Sequence, residues 1–77
     1  MGERLPSCSS ADAIRAFEHL GFVIRRTTGS HVILRHPSER RMITIPFHAG
    51  DLKRGLLFGL LRQANVDREA FIQALKG

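Results

Sequence analysis

Apolar residues first recur at helical spacing near the N-terminus. Ala13, Ile14, Phe17 and Leu20 fall on one side, and Arg15, Glu18 and His19 on the other. Ser9 and Asp12 have capping-box spacing, and Gly21 stands where a left-handed residue would close the helix, which predicts a helix over 10–20. The pattern then changes. Three short runs rich in β-branched and aromatic residues, 22–27 (FVIRRT), 31–36 (HVILRH) and 41–46 (RMITIP), read as strands. Gly29-Ser30 separates the first two and Pro37-Ser38-Glu39-Arg40 the last two, and links this short imply an antiparallel meander with the second strand in the middle. Asp51 is placed to cap a second helix, 52–64, whose inward stripe is Leu56, Leu57, Leu60, Leu61 and Ala64, with Asn65 ending it. Asp67 caps a last helix over 68–76 that turns Phe71, Ala74 and Leu75 inward. Residues 1–8, with Pro6, read as a flexible lead-in. The order is α-β-β-β-α-α: an α+β fold, a three-stranded antiparallel sheet with the helices on one face, in a single domain over 1–77.

Alternation along the strands divides the sheet into two faces. Phe22, Ile24, Val32, Leu34, Ile43 and Ile45 form the more apolar set and should lie under the helices. Val23, Arg25, His31, Ile33, Arg35, Met42 and Thr44 are left on the open face, which is cationic and partly apolar.

Charge sharpens this picture. The chain has 77 residues and a net charge of +5 from 12 Lys and Arg against 7 Asp and Glu. Residues 22–54 alone hold seven bases and two acids, and the rest sums to zero, so the excess is localised on the sheet and the start of the second helix. Ten of the twelve bases are arginine, the better fork for phosphate oxygens. A localised basic region suggests an anionic partner, nucleic acid above all; a solvated basic surface is the plainer alternative. The one cysteine, Cys8, excludes an internal disulfide. No apolar run approaches the ~18–20 residues that span a bilayer, and the N-terminus lacks the apolar stretch of a signal peptide, which points to the cytoplasm.

Little in the sequence carries chemistry. His19, His31, His36 and His48 form no i, i+4 pair and no carboxylate motif flanks them, so neither a metal site nor a metal cofactor is expected. No acidic pair, Gly-rich phosphate loop or Gly-x-Ser-x-Gly segment is present. His31, just past Gly29-Ser30, remains. A histidine beside arginines meets the minimal need of RNA scission, because RNA carries its own nucleophile in the 2′-OH and the protein has only to move its proton. The same residue also reads as an ordinary strand-edge histidine. Lys53 and Arg54, in the first turn of the second helix, make either a phosphate-binding corner or solvated charges.

Several segments taken in order resemble the HicA toxin family: Leu20-Gly21-Phe22 at a helix end, Gly29-Ser30-His31 entering an apolar strand, Ile45-Pro46 with His48, then Lys53, Gly55 and Leu60-Leu61-Arg62-Gln63-Ala64. The likeness runs from about Ser9 to Leu75. It implies a double-stranded-RNA-binding-like fold and a small endoribonuclease, an mRNA interferase paired with a HicB-like antitoxin. It also implies that His31 is the catalytic histidine, with Ser30 orienting it or the substrate, and that no small-molecule cofactor is used. Arg25, Arg35, Arg41, Lys53 and Arg54 are then the candidates for holding RNA. The family commonly has Lys-Pro-Gly-Thr where this chain reads Lys53-Arg54-Gly55-Leu56, and Gly where it has Asn65. A non-catalytic RNA-binding module of the same fold is the alternative, and a purely protein-binding domain is a third.

Overall fold

The first helix, α1 (Ser10–His19), begins where Ser9 holds an extended backbone and its hydroxyl accepts the Asp12 N–H at 3.1 Å, half of the capping box. The helix closes at Leu20, and Gly21 turns the chain at φ +101, a conformation L residues rarely adopt. This computed structural model describes residues 4–77. Its strands β1 (Val23–Thr27), β2 (His31–His36) and β3 (Arg41–Pro46) form an antiparallel sheet in the order β1-β2-β3. Two helices follow, α2 (Arg54–Ala64) and α3 (Arg68–Lys76). The α-β-β-β-α-α order and the open sheet are those the patterning predicts.

Val32, Leu34, Ile43 and Ile45 bury the helix-side face of the sheet against Phe17, Leu57, Leu60, Leu61 and Phe71 in one cluster. Phe17 is the hub, fully buried, with Phe22 edge-on at 5.5 Å and Phe71 at 5.2 Å between ring centroids. Removing a ring so placed costs about 3–5 kcal/mol. Ile72, on the same side of α3, is buried as well. Asn65 ends α2 in the left-handed conformation, φ 56 and ψ 47, as its residue type favours.

Four expectations need correction. Residues 4–8 are no loose lead-in: Leu5 and Cys8 are 2% and 5% exposed and belong to the core, while residues 1–3 lie outside the described residues. The second helix starts at Arg54, not Leu52. Leu52 sinks into the core, its N–H donates to the Cys8 carbonyl at 2.9 Å, and Asp51 bridges Ser9, so the chain stays extended until Lys53, which caps α2 without a side-chain hydrogen bond. Leu56 lies at the margin of the inward stripe and is exposed. Ile24 does pair with Leu34 on the helix-side face, but an edge strand with no neighbour beyond it leaves the side chain exposed.

Burial and the nearby charges of Asp12 and Asp51 push the Cys8 thiol from 9.0 up to about 11, so it stays protonated and is no nucleophile near neutral pH.

Candidate functional site

β2 carries His31 at its first position, opposite Pro46 of β3. Both strands end at this pair, with one further backbone bond just beyond it, so the histidine sits at a mouth of the sheet. Its backbone is fixed from two sides. The Thr28 N–H donates to the His31 carbonyl at 2.8 Å, and the Phe47 N–H donates to the neighbouring Ser30 carbonyl at 2.8 Å. The Ser30 hydroxyl lies 3.1 Å from Nδ1. A hydroxyl donates to a bare ring nitrogen and accepts from a protonated one, so it supports the imidazole in either state. No described residue bonds Nε2, and the side chain is exposed.

The cations around His31 are arranged by a bulge. In β1, Ile24 pairs with Leu34, but the next pair is Arg26 with Ile33, so Arg25 and Arg26 together oppose one residue of β2. Strict alternation would turn Arg26 toward the helices and Thr27 outward. The bulge reverses this: Arg26 joins the face of Ile33 and His31, and Thr27 pairs with Val32 on the helix side. Arg25 stays on the open face too, lining an open cleft with Val23, Arg35 and Pro37. At about 3.3 Å per residue, Ile33 with its two arginines stands about 7 Å from His31 along the strand, and Arg35 about 13 Å. Sequence reasoning missed Arg26. The signal was present in the Arg25-Arg26 pair, because one of two consecutive arginines in a regular strand would have to face the core.

The remaining candidates divide. Arg41 pairs with His36 on the helix-side face, where its guanidinium reaches the Gln63 carbonyl at 3.4 Å and Glu39 at 4.0 Å, away from His31. Lys53 is exposed at the start of α2. Arg54 turns toward Arg4, Phe58 and Arg68 on another flank of the same helix. Between α2 and the open face of β3 runs a groove of about 420 Å³, lined by Met42, Thr44, Gly55, Leu56, Gly59 and Gln63. At Gly55 and Gly59 nothing lies within 4 Å of where a Cβ would stand.

Of the other histidines, His36 faces away from His31. It packs edge-on against Phe22 at 5.2 Å, and its Nδ1 accepts the Ser38 and Glu39 N–H groups at 3.3 Å each, organising the β2–β3 turn. His48 donates Nδ1–H to the Ala49 carbonyl at 2.8 Å. The buried Ser10 hydroxyl donates to the Pro46 carbonyl at 2.8 Å and accepts the His48 N–H at 3.4 Å, tying the loop after β3 to α1. That loop leaves the Phe47 ring half exposed beside the Ser30 backbone. Among the described residues no three of His, Cys, Asp and Glu converge as a metal-ligand set, and no helix is long and apolar enough to cross a membrane.

Residues 10–66 match the family described as the HicA toxin of bacterial toxin-antitoxin. This chain belongs to the HicA toxin family. It is therefore of the toxin kind in a toxin–antitoxin pair. No curated protein matches it. The part matching HicA holds His31, Ser30, all five candidate cations, the bulge and the groove, whereas Arg4, Leu5, Cys8 and all of α3 lie outside it. The HicA match thus covers the sheet and its two flanking helices, and the outlying segments close the core from below: Leu5 and Phe71 are among its most deeply buried side chains.

Proposed function

We propose that this HicA-family toxin is a metal-independent endoribonuclease that cleaves mRNA in the cytoplasm. The observation that carries the reading is the setting of His31: among the described residues the only histidine on the open face, its Nδ1 bonded to Ser30, two residues along β2 from the pair opposite the doubled arginine. Nε2 takes the proton of an RNA 2′-OH. The oxygen attacks the adjacent phosphorus, the bond to the 5′ oxygen breaks, and that oxygen leaves with a proton from water, while His31 gives the proton it took to solvent. The products end in a 2′,3′-cyclic phosphate and a 5′-hydroxyl. Arg25, Arg26 and Arg35 neutralise the charge that gathers on the phosphorane oxygens, the part of such a reaction that fixed cations serve best. Ser30 is a positioning residue. Lys53 supplies a phosphate contact at the α2 N-terminus.

Neutralisation by a HicB-like antitoxin fits the same face. Met42 and Val23 are 61% and 48% exposed there, among arginines, an apolar and cationic mixture that suits an acidic partner. Hydrogen exchange on the complex should show protection around residues 23–35 and 42–44.

His31→Ala tests the reading. The side chain is exposed and its one bond among the described residues is to the preceding Ser30, so the fold should lose under about 1 kcal/mol. Proton transfer by a placed side chain is worth about 10²–10⁴-fold, and cleavage of a structured RNA should fall by at least that much. A folded His31→Ala protein that still cuts at near the wild-type rate refutes the assignment and leaves the RNA-binding module as the reading.

A further inference from the structure

A second cationic cluster lies away from the open face. Arg54 is the first residue of α2, Arg68 the first of α3, and Arg4 comes from the segment that Leu5 anchors in the core. With Leu5 and Phe58 they line a cleft of about 240 Å³.

The groups facing this cleft lack what cations and helix ends ordinarily have. Among the described residues the ion pairs are Arg15 with Asp12 and Arg41 with Glu39, so none of the three arginines has a carboxylate partner. Asp67 and Glu69 flank Arg68 in sequence without pairing to it. The Arg68 Nε is shielded from solvent and makes no hydrogen bond. A buried donor left without an acceptor is rare in folded proteins and calls for a partner. Neither Lys53 nor Asp67 caps its helix with a side-chain bond, so the first-turn N–H groups of both helices are without that acceptor as well. Arg54 and Arg68 oppose the dipoles at the two N-termini; the first turn of α2 has no acid, whereas Asp67 and Glu69 stand at the start of α3. Phe58, one turn after Arg54, leaves its ring 40% exposed beside these charges.

We infer that the Arg4–Arg54–Arg68 cleft is a second polynucleotide contact, where an RNA phosphate is shared by the guanidiniums and an unpaired base stacks on Phe58. A phosphate has enough oxygens for several arginine forks, including the outer nitrogens of Arg68, whose Nε has no acceptor within the protein. A base supplies the flat partner that the ring lacks, which a carboxylate-bearing peptide does not. Gly55 and Gly59 keep the neighbouring face of α2 bare, so the strand has an unobstructed path from the open face across the helix. The inference rests on the ribonuclease reading for its ligand, and it makes the cleft an exosite that grips RNA remote from the cut.

The test is affinity of the full chain in a His31→Ala background for an unstructured oligoribonucleotide of about 12 nucleotides, within the ~4–16 that a small single-strand-binding domain covers. Affinity is read across a salt series. Arg4→Gln and Arg68→Gln together should weaken binding and make the log–log salt slope shallower by about 1, near the ~0.7 expected per lost phosphate contact on single strands. Phe58→Ala should weaken binding by about 5-fold or more with the slope unchanged. Arg4→Gln and Phe58→Ala alter exposed side chains, so they decide the matter even if Arg68→Gln lowers the melting temperature. Unchanged affinity and slope in both overturn the exosite. So does a loss confined to an acidic peptide of matched charge, which would make the cleft a protein-docking site. Cleavage of the same RNA by the wild-type chain separates the two levels. His31-dependent cutting with indifferent cleft variants sinks the exosite alone, whereas weakened binding without any His31-dependent cutting sinks the ribonuclease reading and leaves the cleft standing.

Discussion

Replacing Arg26 by glutamine asks whether the bulge in β1 builds the RNA-binding face. The register places Arg26 opposite Ile33, on the side of His31, and places Arg41 on the helix side with its guanidinium at the Gln63 carbonyl. The two arginines should therefore behave differently, although both belong to the same basic stretch. Each phosphate neutralised on single-stranded RNA contributes about −0.7 to the slope of log affinity against log salt. Arg26→Gln should make the slope shallower by about that amount. Over a four-fold rise in salt, from about 50 to about 200 mM, the wild-type chain should then lose about 2.6-fold more affinity than the variant. Arg41→Gln should leave the slope where it was. Both measurements are made by fluorescence anisotropy in the His31→Ala background, so that the RNA survives. Arg26 is exposed, and its replacement should move stability by no more than about 0.5 kcal/mol, which keeps the binding result free of unfolding. A slope that responds to Arg41→Gln and not to Arg26→Gln refutes the argument, because it would mean that the RNA does not lie on the face that the bulge turns Arg26 toward.

Gly21→Ala should cost about 2 kcal/mol, because the residue sits at φ +101 and a Cβ there would stand 2.7 Å from His36 Nε2, on a ring already held by two N–H groups and Phe22. In a domain of this size that is a fall in Tm of roughly 8–16 °C by calorimetry, and a change under about 2 °C would contradict it. Cys8 makes stability fall at alkaline pH: the folded thiol holds its proton up to about 11, the unfolded one releases it near 9.0, and the contribution is complete below 9.0 and lost as pH rises through that window. The gap is worth roughly 3 kcal/mol, and urea midpoints at about pH 8 and about pH 10.5 should diverge more for the wild-type chain than for Cys8→Ala. RNA cleavage should persist after exhaustive chelation, since no ligand cluster exists among the described residues; loss of activity restored by magnesium or manganese would overturn the mechanism.

The elements were legible because each is dictated locally. The ends of β2 and β3 follow from Gly29-Ser30 and from the Pro37–Arg40 link, and the left-handed ends at Gly21 and Asn65 from residue type. What was not legible depends on partners distant in sequence. The bulge at Arg25 is a matter of register against β2, and no property of FVIRRT alone sets it, although the cost of burying Arg26 hints at it. Leu5 and Cys8 carry no periodicity, so their burial shows only once Leu52 and Asp51 come back to meet them. That same return delays α2 past the cap that Asp51 seemed to offer. His31 was recognisable as a candidate from its place after Gly29-Ser30, but the bond from the Ser30 hydroxyl to its ring and the clamp from Phe47 required the fold.

β1 is an edge strand of the sheet, and all five of its residues are exposed. An uncovered edge is a template on which a second chain can add a strand, the first step toward aggregation. The kink at Arg25 breaks the even row of N–H and C=O groups such a strand would need, and Arg25 and Arg26 would confront their own copies across the seam. The irregularity that sets Arg25 and Arg26 side by side thus also interrupts the edge on which a second copy would add a strand, so a variant with a straight, neutral β1 should be the more prone to fibre formation.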